Sequence, residues 1–177
     1  MNEIKVQIES AFTTMKPTPS SIMVQNETIR DDILQNLYPV LIPECRINSD
    51  IVAMRIDGME NVRVVFVVLG TKQLLSKTTQ LKYRITPQQI ANAVNRNDYN
   101  YKFATMSEML NLPSFIEEIP MYILTNFEMN YGAGLIMNRS VLRSILDKMN
   151  GDIYILPSSV HELIIFPSSF VDDPQGL

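Results

Sequence analysis

Hydrophobic and polar positions change period several times along the chain, and each change predicts an element. IVAMRI (51–56) and VRVVFVVL (62–69) are apolar runs either side of DGMEN. Asp57-Gly58 supplies turn chemistry, because glycine accepts a positive φ without steric cost, so the segment reads as a β-hairpin. The second run is apolar on both faces and is expected to be a central strand. TTQLKYRI (78–85) alternates, with Leu81, Tyr83 and Ile85 on one side and Lys82 and Arg84 on the other, which predicts a third strand. The period then lengthens. In TPQQIANAVNRN, Thr86 fits the N-cap, Pro87 the first helical position and Gln89 the third position of a capping box, with Ile90, Ala91 and Val94 facing inward.

The C-terminal third repeats the strand and helix signals. MYILTNF (121–127) predicts a strand, EMN a turn and YGAGLIM (131–137) a return strand. NRSVLRSILDKMNG predicts a helix capped by Asn138, with Val141, Leu142, Ile145, Leu146 and Met149 on one face and Gly151 ending it in the left-handed conformation. DIYIL (152–156) and ELIIF (162–166) read as strands around PSSVH, and TMSEMLNL (105–112) as a helical turn. The N-terminal part is less regular. IKVQI alternates as a short strand would. KPTPSS (16–21) has the composition of a loop, and TIRDDILQNLY (28–38) has helical spacing with Thr28 as its N-cap and Pro39 as its limit. These elements predict an α+β fold: a mixed or antiparallel sheet packed by two to three helices in a single domain. The expected organisation is an ill-defined segment 1–28, the domain at 29–167 and a frayed tail at 168–177.

Composition narrows the class. A chain of 177 residues that is 46% hydrophobic can bury roughly 70% of its unfolded surface without a staple. One cysteine, Cys45, makes no internal disulfide, and with one histidine it falls short of the four ligands of structural zinc, so no metal and no cofactor are expected. Free cysteine usually behaves as a small hydrophobe, which is the expectation for Cys45. No apolar run approaches the ~20 residues of a membrane span, and the opening MNEIKVQIES lacks the basic and apolar regions of a signal peptide. The expected location is cytoplasmic, with no membrane partner. The net charge of −4 is uneven: residues 1–62 carry −4, 63–102 carry +6 and 117–177 carry −5. Such asymmetry draws a charged partner to one face or pairs internally on folding.

Three groups of residues invite a chemical reading. Ser158, Ser159, His161 and Glu162 hold the types of a hydrolytic relay, yet neighbours on a strand point to opposite faces, so the four cannot form that relay among themselves. A serine-rich turn whose hydroxyls satisfy backbone groups is the expected role. An enzyme using His161 with Ser158 or Ser159, completed by Cys45 or a distant acid, is the alternative. YGAG (131–134) lacks the phosphate-cradling glycine spacings, and its glycines are expected to mark a bulge or a close approach. The loop NRNDYNYK (95–102) combines Arg96, Asn97, Tyr99, Tyr101 and Lys102. Tyrosine among asparagine and basic residues gives contact area at low entropy cost, so these five are the candidate binding residues.

MYILTN, the GA of YGAG and YILPSSVHE together resemble the C-terminal part of a domain family of unknown function found widely in gut anaerobic bacteria. There a strand close to MYVLTN precedes GA, a helix and a strand-turn close to YILPSSIHE. VRVVFVVL, ITPQQIANAVNRN and MSEML occur upstream in the same order, so the likeness covers about residues 30–167. The resemblance implies one cytosolic α+β unit and brings no residue roles. Family members are often longer, so a short copy is what a phage or other mobile element would carry. The expected function is therefore a non-enzymatic protein-binding module, in its sharpest form an inhibitor of a CRISPR nuclease or its guide-RNA complex. A self-associating regulatory subunit is a further alternative.

Overall fold

The computed structural model describes residues 19–111 and 120–170. The chain folds as an α+β domain with two antiparallel sheets. Helix α1 (Pro19–Gln35) leads into strand β1 (Leu37–Pro43), which a short 3-10 turn (Glu44–Arg46) links to β2 (Ala53–Ile56). β3 (Met59–Val68) returns through the predicted hairpin, where Gly58 adopts φ +82°. β4 (Gln73–Leu74) adds a short pairing. The order β1-β3-β2, with β4 also on β3, makes β3 central as its apolar character predicts, and Val64 and Val65 are fully buried.

Helices α2 (Lys77–Lys82) and α3 (Pro87–Arg96) follow. β5 (Tyr101–Thr105) and α4 (Met106–Leu110) start the second sheet, and β6 (Tyr122–Asn126) pairs with β5. A 3-10 segment (Gly132–Met137), helix α5 (Arg139–Met149), β7 (Ile153–Pro157), β8 (Leu163–Pro167) and a last 3-10 turn (Ser168–Phe170) complete the chain. The second sheet runs β5-β6-β8-β7, antiparallel throughout. One of its faces, formed by Tyr101, Phe103, Tyr122, Leu124, Leu163, Ile165, Ile153 and Ile155, belongs to the same core as β1 and β3. Leu135 of the 3-10 segment is fully buried between the sheets. Burying such a side chain contributes about 1.5–3 kcal/mol.

Several expectations need correction. TTQLKYRI is mainly helix, not strand: Ser76 caps α2 by accepting from Thr79 N (3.0 Å), and Leu81, placed on a core face by the alternation, is 77% exposed. A cap at the right offset outweighs an alternating pattern this short. YGAGLIM is not a return strand but the 3-10 segment. α1 begins at Pro19, inside the expected loop and across the expected boundary at residue 28. Thr28 is mid-helix, its hydroxyl donating to Val24 O (3.0 Å) as serine and threonine do inside helices. α5 ends on Asn150 at φ 54°, so asparagine rather than Gly151 takes the left-handed position. β1 has no counterpart in the pattern because Pro39 and Pro43 argue against a strand. Leu69 N donates to Asn36 O, which puts even positions of β1 in register with β3. Both prolines therefore direct their missing N–H away from the ladder. The possible strand at IKVQI and the end of the expected tail lie outside the described residues.

Candidate functional site

β6, the 3-10 segment and the turn before β8 meet at His161. Its carbonyl accepts from the Thr125 hydroxyl (2.8 Å) and from Gly132 N (2.9 Å). Its imidazole Nδ1 accepts from Tyr131 N (3.2 Å), which leaves the ring proton on Nε2. Ser159 Oγ accepts from His161 N (3.0 Å), and Ser158 Oγ lies 3.4 Å from Glu162 Oε1. Both serines are thus committed within the turn, and His161 Nδ1 is held by the Tyr131 backbone amide of the neighbouring loop, where a relay would need a serine oxygen or a carboxylate. Cys45 is exposed on the 3-10 turn after β1, not a buried small hydrophobe, and among the described residues no three potential ligands gather as a metal site.

The glycines of YGAG mark the close approach read from their spacing. A Cβ on Gly132 would sit 2.5 Å from Asn126 N and 2.6 Å from Thr125 Oγ1. One on Gly134 would collide with the Pro39 carbonyl and come within 2.9 Å of Val40 N. Backbone therefore lies against backbone on both sides, and this is how the 3-10 segment joins β1 to β6.

The five candidate binding residues divide. Asn97 Nδ2 donates to Leu34 O (3.0 Å) and Leu37 O (3.1 Å), and the buried Tyr99 hydroxyl donates to Leu37 O (2.7 Å). These two lock the α1–β1 junction. Tyr99 packs edge-on to Tyr38 at 5.4 Å between ring centroids; burial chiefly, and then the Tyr38 phenol, push its pKa well up against the opposing hydrogen bond of Asn97. Tyr38 is also raised, by burial and by Glu128, although the Asn126 amide donating to its hydroxyl (3.0 Å) works the other way. Tyr101 is half-buried and donates to Ser144 Oγ (2.9 Å), and Arg96 is exposed at the end of α3. Lys102 lies next to β6 with its ammonium 5.8 Å from the centre of the Phe127 ring.

Phe127 opens the feature that sequence reading missed. In the loop between β6 and the 3-10 segment, Phe127 (61% exposed), Met129 (50%) and Tyr131 (43%) project at alternate positions. The loop is held from beneath. Asn126 Oδ1 accepts from Asn130 N (2.9 Å), and Asn126 Nδ2 donates to Asn130 O (2.6 Å). His161 takes the Tyr131 amide and stacks obliquely on its ring at 5.3 Å. Met129 and Tyr131 sit at φ 53° and 61°, a conformation that costs about 1 kcal/mol or more per non-glycine residue and persists only where the surroundings impose it. The signal in the sequence was three large apolar residues among turn formers; the strand reading absorbed Phe127 and Tyr131. Two depressions lie elsewhere and neither is lined by His161. One, about 390 Å³, runs along α5 past Arg139, Arg143 and Asp147, and the other, about 310 Å³, lies beside Arg55, Arg63 and Lys77.

Comparison with known proteins finds one family model, described as a family of unknown function (DUF5688), that matches residues 64–177. The matched span contains Thr125, Asn126, the glycines, the projecting loop and His161. No curated protein and no solved structure matches the chain.

Proposed function

This chain belongs to DUF5688, a family of unknown function, and we propose that it is a non-enzymatic protein-binding module that engages its partner through the loop Phe127–Tyr131. The observation that carries the reading is the rigid presentation of three exposed apolar side chains on a backbone tied down by Asn126 and His161. Exposed large apolar groups are a cost in water unless something covers them, and a preorganised loop loses little entropy when it docks. Phenylalanine, tyrosine and methionine are also enriched at interface cores. Lys102 beside the Phe127 ring supplies a cation at the rim of an apolar patch, which suits a protein surface with an apolar pocket. The commitment of Ser158 and Ser159 within their turn, and of His161 Nδ1 to the Tyr131 amide, weighs against the hydrolase alternative.

The narrower proposal, that the partner is a CRISPR nuclease or its guide-RNA complex, is one arm of the test. Wild-type protein and the variant Phe127→Ala/Tyr131→Ala are used as bait against host lysate and against purified nuclease with and without guide RNA. A partner recovered stoichiometrically by the wild type and at least about tenfold less by the variant is the expected result, since interface aromatics commonly contribute 2 kcal/mol or more. Equal recovery by both baits, or recovery by neither, overturns the loop reading. Neither Phe127 nor Tyr131 belongs to the buried core, so the variant should keep the wild-type melting temperature within a few degrees.

A further inference from the structure

We propose that the outer edge of β7 pairs with the same edge of a second copy of this chain, antiparallel about a two-fold axis, so that the two β5-β6-β8-β7 sheets become one. Ser168 N donates to Asp152 O (2.9 Å), and this bond sets the phase of the β7–β8 ladder. Even positions of β7, Tyr154 and Leu156, exchange bonds with Phe166 and Ile164, and odd positions turn their backbone groups the other way. Pro157 and Pro167 fit this phase, since neither has an N–H to give the ladder. The N–H and C=O groups of Ile153 and Ile155 therefore point to the open edge. Among the described residues, none donates to them or accepts from them there.

The edges of β5, β1 and β2 are occupied or blunted. On β5, Lys148 Nζ donates to Phe103 O (3.3 Å), and Thr105 N donates to the Glu108 carboxylate (2.9 Å). On β1, Tyr99 and Asn97 cap Leu37 O, and Gly134 lies against the Pro39 carbonyl. β2 is four residues long, carries Arg55 and is interrupted by a bulge. These are the ways in which proteins keep strand edges from pairing. β7 has only Pro157 at its end. Its IYIL run is uncharged and half-buried.

The occupant follows from the pattern of the edge itself. With Ile155 opposite Ile155 of the second copy, the two residues exchange reciprocal N–H···O=C bonds. Ile153 N–H then reaches the Pro157 carbonyl of the other chain, so every outward donor is used and the missing proline donor leaves only one carbonyl on each side to solvent. Asp152 falls opposite Ser158, so no like charges meet. A two-fold interface needs this kind of self-complementarity, and β7 has it.

The test uses the full chain in a dilution series, read by sedimentation and by amide hydrogen exchange resolved per residue. The expected result is a mass that rises from one chain to two with concentration. Exchange at Ile153 and Ile155 should slow by at least about tenfold over the same range, as bonded amides do. Tyr154 and Leu156, bonded to β8 within the chain, should be protected at every concentration. Ile155→Pro deletes the outward N–H, together with the Ile155 side chain from the core face, and should stay at one chain throughout; should that variant not fold, the wild-type series alone decides. A single-chain mass at all concentrations overturns the proposal. So does a dimer whose Ile153 and Ile155 amides exchange as fast as in the monomer, and so does protection of those amides that is independent of concentration.

Discussion

Gly134 has the Pro39 carbonyl where its Cβ would be, and Gly132 has Asn126 N at 2.5 Å from that position. Neither glycine needs a positive φ, so what excludes a side chain is neighbouring backbone, which cannot rotate aside. Gly134→Ala should therefore cost on the order of 3 kcal/mol, the upper range of overpacking, in urea unfolding. Gly151→Ala has open space around the added methyl and should change stability by less than about 0.5 kcal/mol. Tyr99 gives a second prediction at this scale. Its pKa, raised chiefly by burial, lies above the unfolded value of about 10. The folded state then holds a proton that the unfolded chain releases, so this contribution is intact below about pH 10 and is lost as pH rises toward the folded pKa. Melting temperature should fall more steeply above pH 10 in the wild type than in Tyr99→Phe. The variant should start lower at pH 8 by the loss of the bond to Leu37 O, a net effect of about 1 kcal/mol. Sequence reading found Tyr99 and His161 as notable residues but not the bond from Tyr99 to Leu37 O, because a hydroxyl that reaches another segment's carbonyl leaves no trace in local spacing.

Helix caps were the most legible elements. Thr86 and Gln89 close their capping box around α3 as predicted, with bonds of 3.2 and 2.8 Å, and Asn138 caps α5 by accepting from Ser140 N and Val141 N at 3.0 Å each. Asn138 does more than its local role foretold. Its buried amide also donates to Val94 O (2.7 Å) and Asn97 O (3.1 Å), fastening the start of α5 to the end of α3. Thr86→Ala should cost about 1 kcal/mol, an ordinary cap. Asn138→Ala should cost more, about 2–3 kcal/mol by denaturant unfolding, because it also strands buried carbonyls. The misread elements are those where a short pattern competed with a stronger local or tertiary signal. TTQLKYRI alternates over only a few residues and gave way to the Ser76 cap. YGAGLIM is apolar because it is buried between two sheets, and apolar character alone does not separate a strand from a buried turn of helix.

At the scale of the whole molecule, one core runs through both sheets. Val64 and Val65 of β3, Leu135 of the 3-10 segment and Leu124, Leu163 and Ile165 of the second sheet belong to it. Leu135→Ala should cost about 2–5 kcal/mol as a cavity at this junction. Fluorescence and far-UV dichroism should still report one coincident transition, because both sheets contribute to this one buried cluster. Two separated transitions in the variant would contradict the shared core. The projecting loop lies outside this core, which is why its side chains stay exposed while its backbone is fixed by Asn126 and His161.

The amino-acid sequence by itself determined the α+β class, the Asp57-Gly58 hairpin, the central place of β3 and the N-caps of α3 and α5. All of these depend on local φ/ψ preference and on periodicities of two or 3.6 residues, which a chain carries wherever it folds. Only the tertiary structure decided that the chain builds two sheets rather than one, that Pro39 lies within an edge strand, and that Asn97 and Tyr99 serve the α1–β1 junction. It also decided that Phe127, Met129 and Tyr131 project while β7 keeps an open edge. Those outcomes depend on which distant segment supplies a carbonyl, a hydroxyl or a neighbouring backbone, and no local pattern of residues encodes that choice.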